Sequence, residues 1–294
     1  MEIPRYPDSR PLDLEDKQLL DGIFHSLNPR ISEFTFANLY LFRQAHDYRI
    51  TMVGEAPALL GRGYGGEPYF LLPPTSGVEY ALTRLLDDGL TLYGADTPFI
   101  EKYLQGRGVE IVPDRDSFDY LYSRSDLAEL PGNRFHKKKN RISYFASRHA
   151  YSIEEYGEGH LQGCIDLLDE WRRVREEIEN DSVVLEADAN AEALRMAGPL
   201  GLEGVVAIVG EKIKAFAIGE RLNSDTSVCH FEKADPFLEG LYQLIDREFN
   251  RLLYTECTYV NKEQDLGVAN LRASKLSYHP VELVEKYRVR RLGQ

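Results

Sequence analysis

The strongest constraint on what this chain can fold into is a change of hydrophobic period that occurs twice. In the first half, 13–27 reads as an amphipathic helix with Asp13 as a candidate cap, and 34–42 as a shorter helix. The pattern then switches to three short strands, 48–54, 58–63 and 69–72, divided by Gly54-Glu55-Ala56-Pro57 and Gly63-Tyr64-Gly65-Gly66-Glu67-Pro68. Helix 76–88, strand 90–94, helix 97–105 and a strand pair, 109–112 and 118–122 around Pro113-Asp114-Arg115-Asp116, follow. The second half offers a strand at 149–156 and a helix at 160–178 with Leu161, Ile165, Leu168 and Val174 on one side. A helix at 187–197 then stops at Gly198-Pro199. Next come a hairpin, 205–209 and 213–218 around Gly210-Glu211-Lys212, strand 226–233, helix 240–253, strand 255–260, helix 266–276 and an edge strand near 281–290. After the strand at 149–156, the element order ααβββαβαββ is thus followed by ααβββαβαβ, a repeat of order without a repeat of residues. It predicts an α/β (α+β) protein of two similar domains, each a mixed sheet with flanking helices, over 1–130 and 149–294, joined by a basic helix at 131–148. With 294 residues, 43% of them hydrophobic, the chain can bury a core in each.

Polar residues concentrate at element ends in 226–280. Strict alternation along 226–233 puts Val228, His230 and Glu232 on one face and Lys233 on the other. Gly240 opens a helix with Leu241, Leu244, Ile245, Phe249 and Leu252 at helical spacing. Strand 255–260 runs into Asn261-Lys262-Glu263-Gln264-Asp265, where Asp265 is placed to cap the next helix. If strands 226–233 and 255–260 are parallel, both polar clusters fall outside their carboxyl ends, where ligands sit in open α/β sheets.

A formal charge of −13 argues against a whole surface built for nucleic acid or anionic membrane, so a polyanion would have to be met by a local patch. Arg134, Lys137, Lys138, Lys139, Arg141 and Arg148 form one without an acid among them. As a helix it carries an apolar stripe of Phe135, Ile142 and Phe145 with Lys138 beside it, so Lys138 is expected to turn inward. A solvated charged face is the alternative. Cys164, Cys229 and Cys257, odd in number and widely spaced, read as small core residues in a reducing compartment and suggest no metal site. The polar N-terminus with Pro4 and Pro7, and the lack of an apolar run of about 20 residues, predict no secretory signal, no transmembrane segment and a cytoplasmic protein.

A meander followed by two βαβ crossovers is the element order of the GCN5-related N-acetyltransferase (GNAT) fold. The segments HFEKAD, GLYQLIDREF, VNKEQDLG, LRASKLSYHP and the upstream HKKKNRISYF closely resemble the tandem-GNAT family grouped with the catalytic domain of bacterial phosphatidylglycerol lysyltransferase. The resemblance implies transfer of an aminoacyl group from aminoacyl-tRNA to an amine or hydroxyl acceptor, such as a lipid head group. Lys262 stands where that family leads one to expect Arg, and Asn270 where one expects Gly. Lys262 weakens any bidentate anion contact there.

Acetyl-CoA-dependent GNAT proteins bind pyrophosphate through a Gln/Arg-x-x-Gly-x-Gly/Ala loop. Phe237-Leu238-Glu239-Gly240-Leu241-Tyr242 lacks its leading and closing residues, and Asp235 and Glu239 would repel phosphate, so coenzyme A is disfavoured as a cofactor. Strand 69–72 offers no acid or base and ends in Pro73-Pro74, so the first half is expected to be structural. Aminoacyl transfer needs a base for the nucleophile and stabilisation of the oxyanion, but no metal. Glu232 and His230 are the candidate bases, a buried His–Glu pair being the bland alternative. Tyr278 and Lys275 are candidate donors to the oxyanion or leaving group, unless Tyr278 merely packs at a helix exit. Lys233, Asp235, Asn261, Glu263, Gln264, Asp265, Lys138 and Asn140 are candidates for holding the transferred residue, against a reading of capping and solvated turns. Lys137, Lys138, Lys139 and Arg141 would guide RNA. An acetyl-CoA-dependent acetyltransferase and a non-catalytic binding module are the alternative functions.

Overall fold

The structure, a computed structural model, describes residues 2–175 and 181–293, the side chains of 174–187 apart. The side chain of Val174 and the end of the helix expected over 160–178 therefore lie outside what is described. The chain forms two compact units. The first comprises Met1–Asp119, Gln264–Arg272 and Leu283–Gln294, and the second Tyr120–Glu263 and Ala273–Glu282.

In the first unit, strands β1 (Arg10–Pro11), β2 (Arg49–Val53), β3 (Ala56–Arg62), β4 (Pro68–Leu71), β5 (Thr91–Ala95), β6 (Val109–Pro113) and the C-terminal β14 (Tyr287–Arg291) make one sheet in the order β1-β2-β3-β4-β5-β14-β6. Neighbours are antiparallel except β4 and β5. Helices α1 (Lys17–Leu27), α2 (Phe36–Leu41), α3 (Val78–Asp87) and α4 (Thr97–Tyr103) flank it. α3 shows why: Val78, Ala81, Leu82, Leu85 and Leu86 recur at helical spacing and bury that face in a cluster with Phe70, Leu92 and Val289 of the sheet.

The second sheet runs β13-β7-β12-β11-β10-β9-β8, from β7 (Asp119–Ser123), β8 (Tyr151–Glu155), β9 (Glu203–Val209), β10 (Lys212–Arg221), β11 (Thr226–Ala234), β12 (Tyr259–Asn261) and β13 (Glu282–Val284). β11 and β12 are parallel. Helices α5 (Arg124–Glu129), α6 (His136–Ala146), α7 (Leu161–Arg175), α8 (Asp181–Arg195), α9 (Ala197–Leu200) and α10 (Leu241–Leu252) belong to this unit, and α11 (Ala269–Leu276) begins in residues of the first unit and ends in residues of the second. These are two tandem GNAT-like folds, each a mixed sheet with flanking helices.

Several boundaries differ from the sequence reading. The strands expected to pair across 113–116 join different sheets: β6 pairs with β14, while β7 runs on to pair with β12, Tyr259 opposite Ser123. The single strand expected near 281–290 is two, β13 at the edge of the second sheet and β14 inside the first. Each sheet thus draws an inner strand from the other half of the sequence, so the partition at 130 and 149 does not follow the units. Local pattern cannot show this, since β7 and β14 read as strands wherever they pair. The strand expected over 255–260 shrinks to its last residues because a turn, with Cys257 N–H donating to the Tyr254 carbonyl and Tyr254 at φ 50°, occupies its start.

Candidate active site

β11 and β12 pair over only three positions, from Thr226↔Tyr259 to Val228↔Asn261. Beyond them β11 continues to Ala234 alongside β10, while the chain turns away from β12 through Lys262 and Glu263. Polar side chains fill the opening at these carboxyl ends.

A β-bulge aims them. Ile218 pairs with Phe231 and Gly219 with Cys229, so His230 is an extra residue in β11. Glycine is required opposite it, since a Cβ on Gly219 would stand 2.0 Å from the Val228 carbonyl oxygen. The bulge advances the alternation by one residue, which puts Glu232 in phase with Cys229 and Lys233 in phase with Val228. The expectation that His230 and Glu232 share a face with Val228 fails for this reason, and the two groups have separate partners.

His230 is clamped between carboxylates, Nδ1 2.8 Å from Glu263 Oε1 and Nε2 2.9 Å from Glu220 Oε1. Burial pulls its pKa down, but the two glutamates win and raise it to about 10. An imidazolium so held donates from both nitrogens and is a poor general base at neutral pH. Because the folded value lies above the ordinary 6.5, the clamp contributes its full stability below pH 6.5 and loses it as pH rises through 10. Urea unfolding of His230→Gln should therefore show a flatter loss of stability between pH 7 and 10 than the parent protein.

Glu232 has other company. Lys262 Nζ donates to Glu232 Oε2 at 2.8 Å and to Asp246 Oδ1 at 2.7 Å. Asp246 comes from α10, where Leu241, Leu244, Ile245 and Phe249 are buried as the spacing predicts, although Leu252 is exposed. Asp246 is itself only 2% exposed, and Asn250 Nδ2, one turn on, donates to its carbonyl at 2.7 Å. The sequence reading missed Asp246, which at helical spacing falls on the flank of the apolar stripe, where an acid is ordinarily solvated and draws no notice. Burial raises the Glu232 pKa above the ordinary carboxylate value against the opposing pull of Lys262, and Asp246 adds to the rise. Burial alone would lower that of Lys262, but Asp246 and Glu232 outweigh it and hold Lys262 charged.

Tyr278 and Lys138 complete the group. Burial, and then the Asp246 and Glu232 charges, push the Tyr278 phenol well above its ordinary pKa, and it hydrogen-bonds Asp246. The Lys262 ammonium lies 5.7 Å from its ring centroid and that of Lys138 3.6 Å. Lys138 Nζ also donates to Ser277 Oγ at 2.7 Å, and burial lowers its pKa to about 8. On α6, Phe135, Ile142 and Phe145 are buried, Lys138 is half-buried, and Lys137, Lys139, Asn140 and Arg141 are exposed. Gly240, the N-cap of α10, holds φ +95°, and a Cβ there would lie 2.1 Å from the Arg141 carbonyl oxygen. That close approach sets α6 against the end of α10 nearest the cluster.

Other expected site residues take structural positions. Lys275, expected near the oxyanion, donates to the main-chain carbonyls of Lys262 and Glu263 and so fixes the turn that carries Lys262. Asn261 Oδ1 accepts the Glu263 N–H at 2.7 Å, a local turn that suits the positive φ of Glu263. Lys233 lies over the Trp171 ring, 4.3 Å from its centroid, on the side opposite Glu232. Asp235 pairs with Lys214 at 3.0 Å and accepts the Phe237 N–H. Asn140 bonds His136 on the surface of α6. Gln264 and Asp265 belong to the first unit. There Asp265 accepts from Gly267 N–H, Arg272 and Arg115. It organises the turn ahead of α11, which starts only at Ala269, instead of capping that helix directly. Gln264 Oε1 is buried without a donor.

Among the described residues, no helix is long and apolar enough to cross a membrane. A crystal structure of a conserved protein of unknown function from Bacteroides thetaiotaomicron is 28% identical, covers 96% of this chain and 98% of its own, and superposes with a TM-score of 0.87. The structure of L-PGS from Bacillus licheniformis, 13% identical, covers 100% of this chain and 95% of its own with a TM-score of 0.64, a likeness of fold. An uncharacterised protein of Mycoplasmoides gallisepticum is 24% identical over 187 residues, which span 62% of this chain and 58% of that relative. The family model described as phosphatidylglycerol lysyltransferase, C-terminal, matches residues 24–290, and the chain belongs to that family.

Proposed function

We propose that the protein is an aminoacyltransferase that moves an aminoacyl group from aminoacyl-tRNA to an amine or hydroxyl acceptor, a lipid head group among the candidates, at the Glu232–Lys262–Asp246 cluster. The observation that carries the reading is one part-buried ammonium held by two carboxylates under Tyr278, in a member of this family. Glu232 gives Lys262 only Oε2 and keeps 17% of its side chain exposed. Its raised pKa suits a group that must take a proton near neutrality. As the acceptor attacks the ester carbonyl, Glu232 removes its proton, and a new C–N or C–O bond forms. The oxyanion is met by Lys262 and the Tyr278 hydroxyl, and collapse breaks the ester bond to the ribose, whose oxygen takes the proton back from Glu232.

Coenzyme A finds little support as an acyl carrier. In the loop before α10 the Phe237 N–H is taken by the Asp235 carboxylate, and the Leu238 and Leu241 N–H groups by main-chain carbonyls. These three amides are taken before a pyrophosphate could reach them.

The exposed cations of α6 would neutralise the acceptor end of the tRNA. Replacing Lys137, Lys139 and Arg141 together by alanine should weaken binding of aminoacyl-tRNA and lower the slope of log affinity against log salt by roughly two to three, about 0.7–0.9 per phosphate contact. Filter binding between low and moderate salt tests it; an unchanged slope removes RNA from the proposal. Since Lys138 loses its charge as pH rises through about 8, affinity should fall across that range in the parent protein and less so in Lys138→Met.

A further inference from the structure

We propose that the first unit binds a small amphiphilic monoanion, a hydrocarbon body ending in one carboxylate or phosphate, in the cavity beyond the carboxyl ends of β4 and β5. The site is independent of the transfer cluster, and it lies in the half that the sequence marks as structural.

The parallel ladder between β4 and β5 lasts two pairs, Tyr69↔Thr91 and Phe70↔Leu92. Past it the chain meets Pro73 and Pro74, which bring no amide hydrogen to continue pairing, while β5 stays paired to β14 on its other side. The strands part, and a cavity of about 360 Å³ remains, within the roughly 300–1,000 Å³ of small-molecule sites. Gly94, in its wall, holds φ +72°, and a Cβ there would meet Leu71 and Ile31, so this stretch of wall stays bare.

The lining dictates the ligand. Leu27, Phe34, Leu72, Leu92, Phe99 and Tyr103 present hydrocarbon and ring surface, which a fully polar molecule would leave without partners. Arg30 and Lys102 also line the cavity and are exposed, placing two cations at its mouth. Asp96 is the single carboxylate there, with Oδ1 committed to the Phe99 N–H at 2.9 Å and the Arg30 charge acting on it. Two cations and one anion leave a mouth of net charge +1. A hydrocarbon tail bearing one negative charge satisfies both walls and mouth, whereas a cationic head of the same size would be repelled.

Calorimetric titration of the full-length protein with decanoate, decyl phosphate and decyltrimethylammonium is the test. Saturable one-to-one binding is expected for at least one of the anions and none for the cation; the tighter anion identifies the head group. Arg30→Ala should weaken that binding about tenfold, the loss of one charge-assisted hydrogen bond, and Ala95→Phe should abolish it by filling the cavity. Failure of both anions to saturate, equal binding of decyltrimethylammonium, or an Ala95→Phe protein that binds normally would overturn the proposal. Should Ala95→Phe not fold, the exposed Arg30 and the choice between head-group signs decide the matter alone.

Discussion

Replacing Lys286 by methionine is expected to destabilise the protein by about 3–5 kcal/mol, the usual consequence of removing one partner from a buried ion pair. Lys286 has no exposed surface, and its ammonium reaches Glu33 Oε1 and Oε2 at 2.8 and 2.6 Å and Asp119 Oδ1 at 2.7 Å. Both acids are otherwise well anchored: Ser32 N–H donates to Asp119 Oδ2 at 2.8 Å, and Tyr93 OH to Glu33 Oε1 at 3.2 Å. Methionine keeps the volume and deletes the charge, so two carboxylates stay buried with no cation. The loss is large against the roughly 5–15 kcal/mol that holds a typical domain together. Burial already raises the Glu33 pKa over the pull of Lys286. A carboxyl whose folded pKa lies above its unfolded one favours the folded state at low pH. The Lys286→Met protein should therefore lose stability on going from pH 5 to pH 8 more steeply than the parent. Adding Glu33→Gln should recover part of the loss. Urea melts of the three proteins at the two pH values settle this; a single variant within about 1 kcal/mol of the parent would mean that water or movement relieves the charges.

Lys286 also shows where sequence reading stops. The elements themselves were legible: period, turn residues and caps placed β2 to β5, the β9–β10 hairpin, α3 and α10 within a few residues, because local physics determines them. Partnership was not. Lys286 precedes β14, and its carbonyl accepts the Asp114 N–H at 2.9 Å, so the cluster ties the last strand into the first sheet across some 170 residues of sequence. Nothing in the pattern of 287–291 says that it pairs with Thr91–Ala95 and Val109–Pro113. A bulge is invisible for a related reason. The alternation of 226–234 is unbroken in sequence, and only the approach of Gly219 to Val228 inserts His230 as an extra residue and reverses the face on which Glu232 stands. Glu232, Lys138 and Tyr278 were nonetheless named from type and place, being polar groups at the ends of apolar elements. Asp246 and Lys262, which hold them together, went unnamed as site residues because one sat on the polar flank of a helix and the other in a turn.

The largest functional effect is expected at Glu232. If it moves the proton of the acceptor, Glu232→Gln preserves shape and removes the basic oxygen, and transfer should fall by about 10²–10⁴. Lys262→Met should lower it by a comparable factor, since loss of one preorganised oxyanion donor is worth about 10²–10³. It should destabilise the protein as well, leaving the part-buried Glu232 and the buried Asp246 without their cation. The two substitutions disable one unit, so the double variant should be scarcely slower than the worse single one. Binding separates this from a merely structural role. Glu232→Gln should hold aminoacyl-tRNA with nearly parental affinity, because the cations of α6 are untouched, and still fail to deliver the aminoacyl group. The measurement is release of labelled aminoacyl-tRNA against labelled product with amine and hydroxyl acceptors offered in turn. A Glu232→Gln protein that transfers at the parental rate would remove the cluster from the chemistry, and a parent that binds aminoacyl-tRNA without transferring to any acceptor would leave a binding module on an acyltransferase fold.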